Sequence, residues 1–292
     1  MKITKPLAGI LAFLIVLFTM PLGHVAMILM EKGIGKDYLY HSAMLMGFVG
    51  FLFLIWGFFL KHETRASFAG LFAGLFIWTG WVEFAFVYYA NRFDVAPLMV
   101  DGEVVTKPEY LIMPSSLPFL VIFLIYYFMG TKTGCTLFSW VQKKMNVKEI
   151  IEYKINNRNV ALTTMMECIM LLWTFYIILL FAYDENFLGD RHPITYFIAF
   201  ASLFCSVYLF RKLLKINNLG YAIRYALPVV IIFWNFVEIL GRWDVMTEIW
   251  VEPFKHWVEI LLLTIVFILL VVIGLIERKK SKIDSSSTLA IQ

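Results

Sequence analysis

HWVEILLLTIVFILLVVIGLI, residues 256–276, decides the fold class: His256 and Glu259 are its only ionisable side chains, and both sit at its beginning. An α-helix needs about 20 predominantly apolar residues to cross the hydrocarbon layer of a bilayer, and this run has that length. Seven more runs of the same kind lie at 7–30, 39–60, 67–90, 110–131, 159–183, 193–213 and 220–240. With 61% hydrophobic and 16% charged residues, the composition does not suit a soluble globular domain. The reading is an all-α, polytopic integral membrane protein of eight helices. A β-barrel would alternate apolar and polar residues in segments of about ten, and these runs are continuous.

Lys2 and Lys5 precede the first run as they would in a signal peptide, but the run is longer than a usual signal core and reads as a retained helix. Cys135, Cys168 and Cys205 form no CxxC pair, so neither a disulfide framework nor a zinc cluster is indicated. Lys32, Lys36, Arg92, Lys107, Arg191, Arg242 and Lys255 fall on one side of the eight spans, and the other 18 of the 25 Lys and Arg fall on the opposite side. By the positive-inside rule both termini are cytoplasmic, in an inner or plasma membrane. The net charge of +4 follows from this bias rather than from nucleic-acid binding.

The chain divides into a four-helix half at 1–142, a basic cytoplasmic linker at 143–158, a second half at 159–278, and a disordered cytoplasmic tail at 279–292. Arg92-Phe93-Asp94-Val95 returns 150 residues later as Arg242-Trp243-Asp244-Val245, and at the same offset Gly70 meets Gly220. Two four-helix units of this kind would be parallel repeats, related by an axis along the membrane normal.

Polar groups inside lipid are the functional clue, since an unpaired carboxylate at mid-depth costs about 2.5–3.5 kcal/mol on insertion scales. The topology puts His24, His41, His192 and His256 toward the outer face, leaving His62 inside. Glu83, Glu238 and Glu259 all fall within about 10 Å of the outer boundary at a rise of 1.5 Å per residue. Two acid–arginine sets stand out, Glu83 with Arg92 and Asp94, and Glu238 with Arg242 and Asp244. Glu238 and Arg242 are spaced to pair along one helix. A buried carboxyl can couple proton movement to substrate binding, while an outer arginine holds an anionic group. Glu167, with Thr163 and Thr164 one turn before it, is the deep carboxylate of the inner half and could mark the far end of an ion path.

A second chemistry is also written in these residues. Glu252, His256 and Glu259 share one helical face by their spacing, and His24, Glu83, Glu238, His256 and Glu259 together have the donor types that hold iron, zinc or manganese. Met20, His24 and Met27 repeat the spacing with thioethers, which suit copper, although methionine is also an ordinary packing residue. No GxSxG elbow, Walker A loop, HExxH or histidine pair at mid-depth occurs.

The longest outer loop, 91–113, carries Asp94, Asp101, Glu103 and Glu109, includes Pro97 and Pro108, and is placed to cover the bundle mouth. Pro21, Pro114, Pro118 and Pro228 interrupt helices and open space beside them. Three functions fit: binding and translocation of a small solute or ion from an outward pocket, a membrane metal-dependent or redox enzyme, and a non-catalytic subunit docking an extracytoplasmic protein through 91–113 and 241–255.

Overall fold

The computed structural model describes residues 5–35, 38–100, 103–130, 136–145, 159–185, 187–246 and 248–289. The apolar runs become α1 (Leu7–Gly33), α2 (Leu39–Phe58) and α3 (Glu63–Arg92). A hairpin of β1 (Leu98–Val100) and β2 (Glu103–Thr106) follows, then α4 in three joined pieces, Pro108–Ile112, a 3₁₀ turn at Met113–Ser116, and Leu117–Gly130. A short α5 (Thr136–Lys144) precedes α6 (Val160–Tyr183), α7 (Pro193–Leu213), α8 (Leu219–Arg242) and α9 (Trp257–Leu289). Eight of these helices, all but α5, are long and apolar enough to cross a membrane.

Three details bear on the sequence reading. The antiparallel hairpin, which pairs Met99 with Val104, was not expected in the loop. Helix α9 is described as far as Leu289, within the stretch 279–292. Residues 143 and 144 end α5, while 146–158 of the expected linker, together with Lys2, Asp101 and Cys135, lie outside the described residues.

The eight long helices form two tiers. The buried share of each apolar window runs from 44% to 78% in α1, α3, α6 and α8, and from 6% to 28% in the other four. Helix α8 is the centre, packed against α1, α3, α6 and α7, and α3 packs against α2, α6 and α8. The most apolar face of the chain is thus left on the peripheral helices, where a bilayer would cover it. Leu261, Leu262, Ile268, Leu269 and Ile273 of α9 are exposed.

Glycine holds the inner helices together at one end. A Cβ on Gly220 of α8 would stand 2.7 Å from the Thr64 nitrogen of α3. A Cβ on Gly9 of α1 would stand 2.6 Å from the Leu213 carbonyl oxygen, and one on Gly70 of α3 would collide with the Ala161 carbonyl of α6. These contacts put the beginnings of α3, α6 and α8 side by side. This end also carries Lys61, Arg65, Arg211, Lys212 and Lys215, and is called the basic end.

Toward the other end, backbone irregularities accumulate. Pro21 interrupts α1, and α3 widens into a π-helical segment at Trp78–Glu83. There Gly80 packs directly on Gly47 of α2, which brings the two helices close at the point where the turn expands. π-segments inside α-helices are frequent at functional sites.

The repeated tetrapeptide makes the same helix stop twice. Asp94 and Asp244 adopt φ of 49° and 57°, and the following nitrogens, on Val95 and Val245, bond back to the carbonyls of Ala90 and Leu240 at 3.0 and 3.1 Å. Both are Schellman turns in which a short polar side chain occupies the left-handed position usually given to glycine.

Candidate functional site

A cavity of about 300 Å³ opens between the carboxyl-terminal halves of α1, α3, α6 and α8. Leu98, Thr106 and Lys107 of the hairpin segment border it, as do Glu248 and Trp250 from the segment between α8 and α9. The loop 91–113 therefore lies at the cavity mouth. Lys107 reaches across to Glu31 near the end of α1 at 3.4 Å.

Three of the residues singled out in the sequence meet here from three different helices. His24 Nε2 lies 3.2 Å from Glu238 Oε1. The same carboxylate oxygen accepts a 2.6 Å hydrogen bond from Trp234 Nε1, one turn earlier on α8, and the His24 ring stacks on Trp234. Trp234 in turn contacts Trp250, with ring centroids 5.0 Å apart. Glu83, the last residue of the π-segment, is 3% exposed and accepts a hydrogen bond from the Tyr176 hydroxyl of α6 at 3.2 Å. Tyr176 is also hydrogen-bonded to Tyr110 of α4, so a chain of hydroxyls runs from the mouth to a buried carboxyl.

Arg242 also lines the cavity, but its observed partner is Asp190 rather than Glu238. Its Nε donates to Asp190 Oδ1 at 3.2 Å and its second amino group lies 3.1 Å from Oδ2, a two-point grip on the 184–192 loop. Trp243 Nε1 donates to the Asp190 carbonyl at 2.7 Å, and the Arg242 guanidinium covers the Tyr183 ring. Burial pushes the Asp190 carboxyl above its ordinary range, and the arginine offsets part of that shift. Glu248 faces the same cavity. Burial, with Glu238 nearby, pushes its carboxyl up to about 7.

The other expected residues do not join this group. Arg92 and Asp94 are exposed beyond the π-segment, and Asp244 is exposed at the second helix stop. Glu167 is fully buried in the basic-end half of α6, and the Thr163 and Thr164 hydroxyls donate to the carbonyls of Asn159 and Val160 on their own helix. Helix α9 begins at Trp257, so Glu252 lies in the turn before it and is held by Lys255 at 3.0 Å, which keeps its carboxyl below its ordinary value. His256 and Glu259 stand 3.8 Å apart and are not part of the cavity wall.

The metal reading therefore retains only His24, Glu83 and Glu238 in one place, and among the described residues no three His, Cys, Asp or Glu side chains are grouped as a metal site. Met20 and Met27 do line the cavity with His24. Cys168 and Cys205 are free thiols.

Several residues of the site carried no signal by themselves. Tyr110, Tyr176 and Tyr183 read as ordinary bundle aromatics, and Asp190 as a loop acid. Glu31 could have been found, because it lies seven residues after His24 and shares its helical face. Arg224, counted only for topology, is buried in α8 at the basic end. It is ion-paired to Glu63, which also accepts from Asn218 at 2.8 Å.

Fold and site together define an all-α bundle, with eight helices among the described residues long and apolar enough to cross a membrane, and a cavity at one end that carries carboxyl and aromatic side chains. Comparison with protein-family models, with curated proteins and with solved structures gives no match, so the function has to be read from the site's own chemistry.

Proposed function

We propose that the chain is a multi-pass protein of the plasma or inner membrane that binds a small solute or ion in this cavity and translocates it, with carboxyl protonation coupled to the movement. The observation that carries this reading is the convergence of His24, Glu83 and Glu238, from three separate inner helices, on one cavity. Ionisable groups buried in a bundle interior are expensive and mark substrate or proton paths. Carboxyl groups linked to hydroxyl and imidazole partners can exchange a proton without leaving a bare charge in the bundle.

The Lys and Arg distribution supports an orientation with the basic end and both termini in the cytoplasm and the cavity facing outward. On that reading Glu167 lies between the cavity and the cytoplasm, on the inner course of the route. A parallel repeat of two four-helix halves is supported by the packing as well as by the tetrapeptide. Helix α3 rests on α6 as α8 rests on α1, and α2 flanks α3 as α7 flanks α8.

The test is reconstitution into liposomes holding a pH-sensitive dye. A panel of small cationic, neutral and anionic solutes is added outside. The expected result is proton movement driven by at least one solute class and lost in Glu238→Gln and in Glu83→Gln. Equal traces from both variants and the unaltered protein would sink the assignment.

A further inference from the structure

We infer that the solute is a small organic cation, an alkylammonium carrying an oxygen acceptor a few ångströms from its charge. This rests on the reading of the cavity as a solute site and narrows its ligand class.

The wall charge points this way first. Five carboxylates line the cavity: Glu31, Glu83, Asp184, Glu238 and Glu248. Lys107 and Arg242 are its only Lys and Arg among the described residues, so carboxyl groups outnumber the basic side chains of the wall even when His24 is counted among them. Lys107 is held by Glu31, and Arg242 by Asp190, which is not itself part of the wall. A cation entering this space compensates charge already buried there, whereas an anion would add to it.

Helix direction adds a second contribution of the same sign. Glu31, Asp184 and Arg242 stand at the carboxyl-terminal ends of α1, α6 and α8, and all border the same cavity. The negative ends of these helix dipoles therefore face the bound species.

Aromatic rings stand among the aliphatic side chains of the remaining wall, including Trp78, Tyr110, Tyr176 and Trp250. Such rings hold the methyl and methylene groups next to an ammonium while their faces attract its charge. A bare metal ion would gain little from these walls, and a cavity of about 300 Å³ is at the small end of the range for organic ligands.

Asn235 supplies the last feature. It is 2% exposed, lines the cavity, and its amide nitrogen has no hydrogen-bond partner among the described residues. It lies three residues before Glu238, or about 4.5 Å along the helix axis. An amide donor at that distance from the carboxylate fits a hydroxyl, ether or carbonyl oxygen on the same ligand.

The experiment is calorimetric titration of the full-length, detergent-purified protein with three probes: choline, its uncharged isostere in which a quaternary carbon replaces the nitrogen, and glutarate. Choline is expected to bind at least tenfold more tightly than the isostere, with no heat from glutarate. Glu238→Gln and, separately, Glu248→Gln are each expected to weaken choline at least tenfold, while exposed Lys215→Ala leaves it unchanged. Glu248 lies outside the spans, so its variant keeps the test open should Glu238→Gln fail to fold. Isostere or glutarate binding as tight as choline's would overturn the cation assignment and leave the cavity reading standing. No binding of any probe to monodisperse protein would overturn both.

Discussion

The same four helices behave in opposite ways at their two ends. At the basic end α3, α6 and α8 touch through Gly70 and Gly220, with no room for a methyl group. At the cavity end Gly23 of α1 has nothing within 4 Å of where a Cβ would stand. Identical residue types therefore serve one end as contact points and leave open space at the other. Close packing at one end fixes the helices as a unit, and Pro21 together with the π-segment then lets them diverge. The cavity opens beside Gly23, which is not a contact, while Gly80 toward the same end still packs on Gly47 of α2.

The largest effect should come from attacking the closed end. Gly70→Ala or Gly220→Ala forces backbone atoms apart, and each should destabilise the fold by about 1–3 kcal/mol. The check is the thermal midpoint in detergent; an unchanged midpoint in both would show that the closed end is not tightly packed.

Filling the open end should have the reverse profile. Gly23→Leu should leave the midpoint close to that of the unaltered protein and abolish solute binding in the titration described above. A large loss of stability would mean the space beside Gly23 is needed for folding rather than for ligand.

A smaller effect is expected where the cavity mouth is tied to the 184–192 loop. Asp190→Asn should cost about 1.5 kcal/mol, the scale for a hydrogen bond to a charged partner. The Asp190→Asn, Arg242→Gln double variant should cost less than the two single losses added together, because they break one interaction.

The last effect concerns pH. Burial pushes the Glu248 carboxyl up to about 7 in the folded chain, from an ordinary glutamate value of 4.5. Its contribution to stability is fully present below 4.5 and is lost as the pH rises through 7. The midpoint of the unaltered protein should therefore fall between pH 5 and pH 8, and Glu248→Gln should flatten that fall. Parallel curves for the two proteins would remove Glu248 from the comparison.

The eight long apolar helices were legible because crossing hydrocarbon takes a continuous apolar run of about 20 residues, and runs such as 159–183 have that length. The hairpin was not, since strands of three and four residues have too little pattern to read. The π-segment was hidden as well, because Trp78–Glu83 differs from its flanks in hydrogen-bond register and not in composition. Within the site, Glu83, Glu238 and His24 were recognised singly by the cost of burying them. Their meeting was invisible, because contact between residues far apart in the chain follows from how helices cross. The recurrent Arg-x-Asp-Val, noticed for its charges, also forms the stop at the ends of two helices, which its composition alone does not announce.

The π-segment of α3 also has a consequence for how this protein could change over time. One surplus residue sits within a few turns of an otherwise regular helix, directly before Glu83. Deleting a single residue there would restore ordinary register without turning what lies beyond it, because a π-turn spreads its surplus residue over the rotation that an α-helix covers with one residue fewer. Glu83 would stay beside the Tyr176 hydroxyl, and the side chains of residues 78–82 would be re-aimed instead. In a lineage of such chains, the wall around the cavity carboxylate could be altered through one codon's insertion or deletion, leaving the bundle intact.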